Sequence, residues 1–289
     1  MAITLTTSSE YKAISETIIA EARFTEEYAA PMRGLVTPFT MAQGASTFRV
    51  PRFNTLVAAG LTEGVDMTDS QDIKLSYVDL TTSEAGLKVI LTKKLMREIN
   101  ENMLSVAGKL MGDAIGRYID EQLLALFDGF SSSLGAAGKI LDEEVLAAVS
   151  LLLASAKAIG PYCVVLHPNC YWTYMKALAA ATVTYGLQGK AAEAQVAQFY
   201  VGRMPMFGTT LWHDSNFTID ASDDIKGAAF GKEALAFTSS MEETSDLEKD
   251  ASLRGIEVVH VIDFGVAELL DTSGIELYFD ATAPAPTGD

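Results

Sequence analysis

Cys163, His167 and Cys170 have the residue types and the spacing that could bind a metal ion. Zinc prefers thiolate and imidazole ligands, but structural zinc sites use four, and the sequence offers no fourth ligand near these three. The two cysteines flank a predicted strand-to-helix turn and do not make a disulfide framework, so free thiols are expected. A soluble α+β metalloprotein using these residues remains an alternative, whereas the favoured prediction contains no metal site.

Three other motifs match catalytic signatures only in part. Glu257 and His260 lie in a β-branched run, where alternation places them on opposite faces of a strand. His213 and Asp214 are adjacent, a poor arrangement for a catalytic base and the group that orients it. Residues 227–233 have one residue too few between their glycines for a phosphate-binding loop, and a glutamate where serine or threonine would hold magnesium. We therefore expect no catalytic residue and no cofactor.

The composition indicates a large acidic protein with a sizeable core. The chain has 289 residues, 49% of them hydrophobic, and a net charge of -17. Such a charge argues against a nucleic-acid-binding surface, because phosphate contacts need clustered Lys and Arg. The longest uncharged apolar run, residues 145–156, is shorter than the roughly 20 residues of a membrane-spanning helix. A cytoplasmic origin and no membrane partner are expected.

The longest predicted element is a helix from Thr92 to Phe127, which would extend over roughly 54 Å at a rise of about 1.5 Å per residue. A typical helix has about 11 or 12 residues, so this length favours a structural role. Its predicted apolar stripe consists of Leu95, Ile99, Met103, Val106, Leu110 and Ala114. Its predicted charged stripe, which is solvated or faces a rim, consists of Lys109, Asp113, Arg117 and Glu121.

Gly108, Gly112 and Gly116 repeat every four residues between these two stripes. Each glycine costs about 1 kcal/mol of helix propensity relative to alanine, and the absence of side chains lets another backbone approach closely. The repeat therefore predicts that an extended arm or a β-hairpin crosses the helix. Glycines that are tolerated without such a partner are the alternative.

The rest of the chain predicts alternating strands and helices of an α+β protein. An edge strand at Thr47–Phe53, marked by Pro51, and a strand starting near Ile73 together predict a long hairpin. Further strands are predicted at 87–91, 163–166, 209–213, 228–230, 235–238, 255–264 and 275–279, and helices at 142–158 and 168–180. The acidic segment Met241–Asp250 predicts a solvated connecting loop.

The order of these parts, together with short phrases along nearly the whole chain, resembles the major capsid proteins of tailed bacteriophages. The phrases are Arg52–Leu56 and Leu61–Gly64 in the hairpin region, Leu91–Thr92 before the long helix, Leu166–Asn169 before a Tyr-rich helix, Phe207–Leu211, Phe230–Ala234, Gly265–Ala267 and Asp271–Gly274. The resemblance implies an α+β phage major capsid fold. Its parts would be an N-terminal arm at 1–40, an extended hairpin loop at 41–90, a peripheral domain with a spine helix at 91–130 and 254–280, an axial domain at 131–253, and a flexible tail at 281–289.

The resemblance also implies that the chain assembles as pentamers and hexamers into an icosahedral shell around double-stranded DNA. The expected location is the virion, after assembly in the host cytoplasm. Expected partners are further copies of the chain, a separate scaffolding protein, a portal and a decoration protein, with DNA enclosed without sequence-specific binding. An encapsulin-like nanocompartment shell is the alternative within the same fold.

Four charged residues of the hairpin region, Arg49, Arg52, Glu63 and Asp66, are the predicted assembly contacts. Charge pairs across a subunit interface fix register and exclude wrong partners. We therefore expect charge reversal at these positions to impair assembly.

Overall fold

The computed structural model describes residues 31–42, 45–54, 56–64, 66, 70–98, 103–184, 205–206, 208–250, 252 and 254–283. Of the predicted N-terminal arm and C-terminal tail, these ranges include only residues 31–40 and 281–283. The predictions for the remainder of the arm and the tail concern residues outside the described part.

Along the chain the strands are β1 (Thr37–Thr40), β2 (Thr47–Phe53), β3 (Leu75–Thr81), β4 (Ser83–Thr92), β5 (Ser133–Gly135), β6 (Tyr162–Leu166), β7 (Pro205–Met206), β8 (Thr209–His213), β9 (Asp224–Gly231), β10 (Leu235–Asp250), β11 (Gly255–Glu268) and β12 (Gly274–Asp280). The α-helices are α1 (Lys93–Glu98), α2 (Met103–Leu124), α3 (Glu143–Ser155) and α4 (Pro168–Thr184). Short 3₁₀ helices cover Pro31–Gly34, Ala125–Gly129 and Asp271–Ser273. None of the described helices is both long enough and apolar enough to span a membrane.

The strands of the described residues form three sheets. A four-stranded sheet has the order β1-β10-β11-β4, in which β1 runs parallel to β10 and the other pairs are antiparallel. A six-stranded sheet has the order β5-β12-β9-β6-β8-β7 and mixes both kinds of pairing. The third sheet is the antiparallel pair of β2 and β3. Mixed sheets combined with helices confirm the predicted α+β class.

The six-stranded sheet is buried on both faces, because alternate residues of a strand point to opposite sides. On one side Val165, Ala228 and Phe230 belong to the same buried cluster as Ile115, Ile119 and Leu123 of α2. On the other side Val164, Ala229 and Leu277 belong to a cluster with Leu146, Val149 and Leu153 of α3. Each fully buried large aliphatic or aromatic side chain contributes about 1.5–3 kcal/mol relative to exposure. This sheet and its two helix layers hold most of the described core.

The predicted long helix has different bounds in the structure. β4 continues to Thr92, so the helical part begins at Lys93, and a 3₁₀ helix forms its end at Ala125–Gly129. Residues 99–102, between α1 and α2, lie outside the described part. The predicted exposure of the charged stripe is confirmed for Lys109, Arg117 and Glu121.

The predicted apolar stripe of this helix is wrong over its second half. Leu110 is 65% exposed, and Val106 and Ala114 are exposed as well. The buried stripe is instead formed by Ala107, Met111, Ile115, Ile119 and Leu123. Gly108, Gly112 and Gly116 are also buried, directly beside this stripe. The glycine side of the helix therefore faces the protein, and the crossing of this side by an arm or a β-hairpin stays a prediction.

The acidic segment Met241–Asp250 is a strand, not the predicted loop. It is the second half of β10 and pairs with β11 as far as Asp250↔Gly255, with register irregularities around Met241. Ser245 is buried while Asp246 and Glu248 are exposed, so these two charges lie on the solvent face. The cross-strand pairing with β11 explains why a charged segment is extended.

Two strand pairs join residues of different predicted domains. β10 belongs to the predicted axial domain 131–253 but pairs with β11 in the four-stranded sheet. β12 belongs to the predicted peripheral domain 254–280 but pairs with β9 in the six-stranded sheet. The domain boundaries stay a prediction.

Candidate assembly surface

The hairpin formed by β2 and β3 is the most exposed part of the described structure that is still regularly paired. Its register runs from Thr47↔Thr81 to Phe53↔Leu75, and β2 has the bounds that the sequence predicts. A two-stranded hairpin is marginally stable alone in water, so its side chains decide whether it stays ordered.

Two side-chain amides continue the pairing beyond the ends of these strands. Asn54 accepts the backbone N–H of Lys74 at 2.7 Å and donates to the carbonyl of Asp72 at 3.1 Å. Gln71 accepts the N–H of Val57 at 2.8 Å and donates to the carbonyl of the same residue. These bonds replace ladder hydrogen bonds and hold the two arms of the connecting loop together.

The hairpin and its loop expose an unusual amount of apolar surface. Phe53 is 68% exposed, Val57 70% and Leu61 73%. The remaining large exposed apolar side chains in this region are Leu56, Ile73, Leu75 and Tyr77. Single exposed apolar residues are normal on a protein surface, but a concentration of them on one projecting element marks an interaction site.

Arg49, a predicted assembly contact, joins the two strands of its own hairpin. Its guanidinium contacts both carboxylate oxygens of Asp79, with Nε–Oδ1 at 2.7 Å and Nη2–Oδ2 at 3.1 Å. The two residues are register partners, and the guanidinium also lies 5.4 Å from the ring centre of Tyr77. The hydrogen bond from Arg49 lowers the pKa of Asp79. This forked pair stabilises the register of the hairpin.

The other three predicted contacts occupy different positions. Arg52 is a half-buried residue of β2. Burial, and next the charge of Asp271, raises the pKa of Glu268 on β11, and the charge of Arg52 opposes this rise. Glu63 and Asp66 are exposed in the loop. Arg49 and Arg52 are three apart in a strand and so point to opposite faces. The four residues do not form one cluster, and their role as contacts stays a prediction.

The possible zinc ligands are divided between the two faces of the six-stranded sheet. Cys163 packs against the α2 side, whereas Cys170 is buried on the α3 side. Cys170 donates its thiol hydrogen to the carbonyl of Asp280 at 2.9 Å, and burial, with the nearby carboxylates of Asp280 and Asp224, raises its pKa to about 12. His167 accepts the N–H of Asn169 at 3.2 Å through Nδ1. Within the described ranges no group of three or more such side chains could hold a metal ion.

The remaining partial motifs have structural contacts. Glu257 forms an ion pair with Lys88 of the neighbouring strand, while His260 is buried and its Nδ1 lies 2.6 Å from Ser245 Oγ. Residues 227–231 are part of β9 rather than a phosphate-binding loop. Glu233 accepts the backbone N–H of Ile159 at 3.1 Å. Glu257 and His260 therefore act as separate cross-strand contacts on opposite faces, as predicted.

A buried pair of carboxyl groups was not predicted from the sequence. Asp120 of α2 is completely buried, and Asp214, which follows β8, is 4% exposed. Asn216 donates its side-chain amide to Asp120 at 3.2 Å and its backbone N–H to Asp214 at 2.8 Å. Burial, and next the hydrogen bond with Asp214, raises the pKa of Asp120 to about 9. The available sequence signal was Asp120, a single aspartate on the side of the helix that is buried. The signal could not be used because the predicted apolar stripe lay on a different side of the helix.

The described fold combines a four-stranded sheet beside a long helix, a six-stranded sheet between helix layers and an exposed two-stranded hairpin, and it is similar to the folds of solved phage capsids. The acid-stable capsid of Helicobacter pylori bacteriophage KHP30 matches with a TM-score of 0.67 at 10% identity, over 88% of this chain and 92% of that chain. The capsid of cyanophage P-SCSP1u matches with a TM-score of 0.65 at 14% identity, over 86% and 87% of the two chains.

A virus-like particle from Pyrococcus furiosus has the same fold, with a TM-score of 0.61 at 9% identity, over 91% of this chain and 98% of that chain. No protein-family model and no curated protein matches the sequence. The predicted phage capsid fold is thus confirmed by three-dimensional likeness, at sequence identities where the likeness shows the fold alone.

Proposed function

We propose that the chain is the major capsid protein of a tailed phage. Copies of it assemble as pentamers and hexamers into an icosahedral shell, which encloses double-stranded DNA and forms the outer part of the virion. Assembly takes place in the host cytoplasm, with a separate scaffolding protein, a portal and a decoration protein as partners. We also propose the predicted division into arm, hairpin loop, peripheral domain, axial domain and tail. In this division the arm and the hairpin are the parts that contact neighbouring subunits.

The observation that carries this proposal is the exposed apolar hairpin on a phage capsid fold. Within one subunit Phe53, Val57 and Leu61 remain in contact with water. Burial against a neighbour removes that surface from water at about 25 cal/mol per Å², which is the main favourable term in most protein association. The hydrogen bonds of Asn54 and Gln71 order the loop beforehand, which lowers the conformational entropy lost on assembly.

The charge of the chain agrees with a shell around nucleic acid. A net charge of -17 does not attract a polyanion, so enclosed DNA stays free to move during packaging. We propose an acidic inner surface; a strongly positive potential on the lining of the assembled shell would contradict this. The contacts of Cys170 and His260 with neighbouring groups fit a structural, non-enzymatic role.

A nanocompartment shell is the second candidate. The match to the Pyrococcus furiosus virus-like particle, which extends over 98% of that chain, favours it. The two candidates differ in what the shell contains. Nucleic acid in purified particles supports the phage capsid, whereas a protein cargo supports the nanocompartment.

The first experiment is electron microscopy of the purified protein, alone and with the products of neighbouring genes. Rings of five and six subunits and closed shells are expected.

The double variant Leu56→Ser/Leu61→Ser should keep the wild-type circular dichroism and Tm but remain unassembled, because it removes apolar surface only from the exposed loop.

The matched control is Leu56→Met/Leu61→Met, which keeps apolar area at the same positions and should assemble. A wild-type protein that stays monomeric under all conditions would overturn the proposed function. A serine variant that assembles like the wild type would show that these leucines of the hairpin loop are not needed for assembly.

A further inference from the structure

The buried carboxyl groups of Asp120 and Asp214 connect two elements that are distant in the sequence. Asp120 lies near the C-terminal end of α2. Asp214 follows β8, and its backbone N–H donates to the carbonyl of Leu166 at the end of β6 at 3.0 Å. The pair therefore joins α2 to the six-stranded sheet at the C-terminal ends of β6 and β8.

One oxygen of each carboxyl group has no conventional donor. Asp120 Oδ1 and Asp214 Oδ2 are buried and receive no hydrogen bond from a described N–H or hydroxyl group. The other two oxygens are held by Asn216, through the bonds to its side chain and its backbone. An unpaired buried carboxylate is costly, and two such charges in contact repel each other. A hydrogen bond acts between the two carboxyl groups, and one proton shared between them would supply its hydrogen and remove one of the two charges.

Among the described residues, none of the groups that act on Asp120 supplies a neutralising charge to it. The backbone of Met32 and the side chain of Asn216 act on it as hydrogen-bond partners, and Asp214 is the charged group that acts on it. His167 lies within electrostatic reach of Asp214, but burial lowers the pKa of this histidine, which favours its neutral form. On α2 itself, the neighbouring charged side chains of Arg117 and Glu121 are exposed.

We propose that Asp120 and Asp214 share one proton and form a latch between α2 and the six-stranded sheet, and that alkaline pH opens this latch by removing the proton. Loss of the proton leaves two negative charges in a buried site. The structure then relaxes by separating the end of α2 from the turn at residues 214–216, so that water reaches the carboxylates. The latch lies within one subunit and does not depend on the proposed shell function.

The pH dependence has a defined sign. The folded-state pKa of Asp120, about 9, lies above the value of roughly 4 for an aspartate in an unfolded chain. The native state therefore holds a proton that the unfolded state releases. Stability is greatest below the unfolded pKa, falls as the pH rises, and levels off above the folded pKa.

The test compares thermal and urea unfolding of the unassembled wild type, Asp120→Asn and Glu121→Gln from about pH 6 to about pH 10. The unfolding constant of the wild type should rise by up to about tenfold per pH unit below the folded pKa, as one retained proton requires. Asp120→Asn should be flat in comparison, because its amide donates a hydrogen bond without ionising. Glu121→Gln removes an exposed carboxylate from the adjacent position and should follow the wild-type profile.

Equal pH profiles for the wild type and Asp120→Asn would overturn the latch. If Asp120→Asn does not fold, Asp214→Asn tests the same pair from the other side. Infrared difference spectra of the wild type give a further readout, since a protonated carboxylic acid band should persist at neutral pH and disappear on alkaline titration. Its absence at neutral pH would also overturn the proposal, whether or not the subunits assemble.

Discussion

Gly274, the first residue of β12, is a position where a side chain has no room. An added Cβ would overlap the ring of Phe130, which is itself 4% exposed and part of the buried cluster beside α2. The ring cannot swing into solvent without leaving its neighbours. Gly274→Ala should therefore destabilise the protein by about 1–3 kcal/mol, as is typical of overpacking in a core. Urea unfolding followed by circular dichroism measures the loss.

Gly60→Ala is the matched control for that change. Gly60 lies in the exposed hairpin loop, and no heavy atom lies within 4 Å of the position that an added Cβ would occupy. This variant should unfold at nearly the wild-type urea concentration. Equal midpoints for the two variants would show that Phe130 adjusts without cost and that the close contact is unimportant.

At the level of single residues, local sequence predicts the faces of neighbouring strand residues but does not predict the buried pair. Glu257 and His260 were placed on opposite faces correctly, because strand alternation depends only on nearby residues. Asp120 and Asp214 meet through the packing of α2 against the sheet, which no local pattern encodes. Phe53 and Leu61 can be read from the sequence, but their exposure cannot, because it depends on how the rest of the folded subunit packs around them.

At the level of secondary structure, the two main errors share a physical origin. Hydrophobicity alone places the apolar stripe of α2 on the side of Leu110, although the side that carries Gly112 is the buried one. Met241–Asp250 was assigned as a loop from its charge, although pairing with β11 makes it a strand. Both outcomes are determined by a partner element, whereas β2 was predicted with its correct bounds because Pro51 and its alternation are local.

The forked contact of Arg49 with Asp79 makes a prediction about the hairpin. Arg49→Glu places two like charges on register partners, so it should loosen the pairing of β2 with β3 and reduce assembly. Hydrogen exchange of the hairpin amides and light scattering measure the two effects. Both changes should be seen together.

The charge-swapped double variant Arg49→Asp/Asp79→Arg separates a role within the hairpin from a role between subunits. If the pair serves only its own hairpin, the swap restores protection and assembly. If Arg49 also contacts a neighbouring subunit, protection returns but assembly does not. Failure to recover protection would contradict the pairing itself.

At the level of the whole molecule, the net charge of -17 opposes the association that the apolar hairpin favours. Assembly brings many acidic chains together, so their mutual repulsion adds to the free energy of a shell. Salt shortens the range of this repulsion, from a Debye length of about 10 Å at 0.1 M to about 3 Å at 1 M. It leaves the burial of Phe53, Val57 and Leu61 largely unaffected.

The critical concentration for assembly should therefore fall as sodium chloride is raised from about 0.05 M to about 0.5 M. Light scattering gives this concentration, and electron microscopy shows whether the scattering particles are shells. Leu56→Ser/Leu61→Ser should not assemble at any of these salt concentrations, which distinguishes assembly from non-specific salting out. A critical concentration that rises with salt would give the opposite conclusion. Attraction between unlike charges, of the kind predicted for Arg49 and Arg52 with Glu63 and Asp66, would then dominate the contact between subunits.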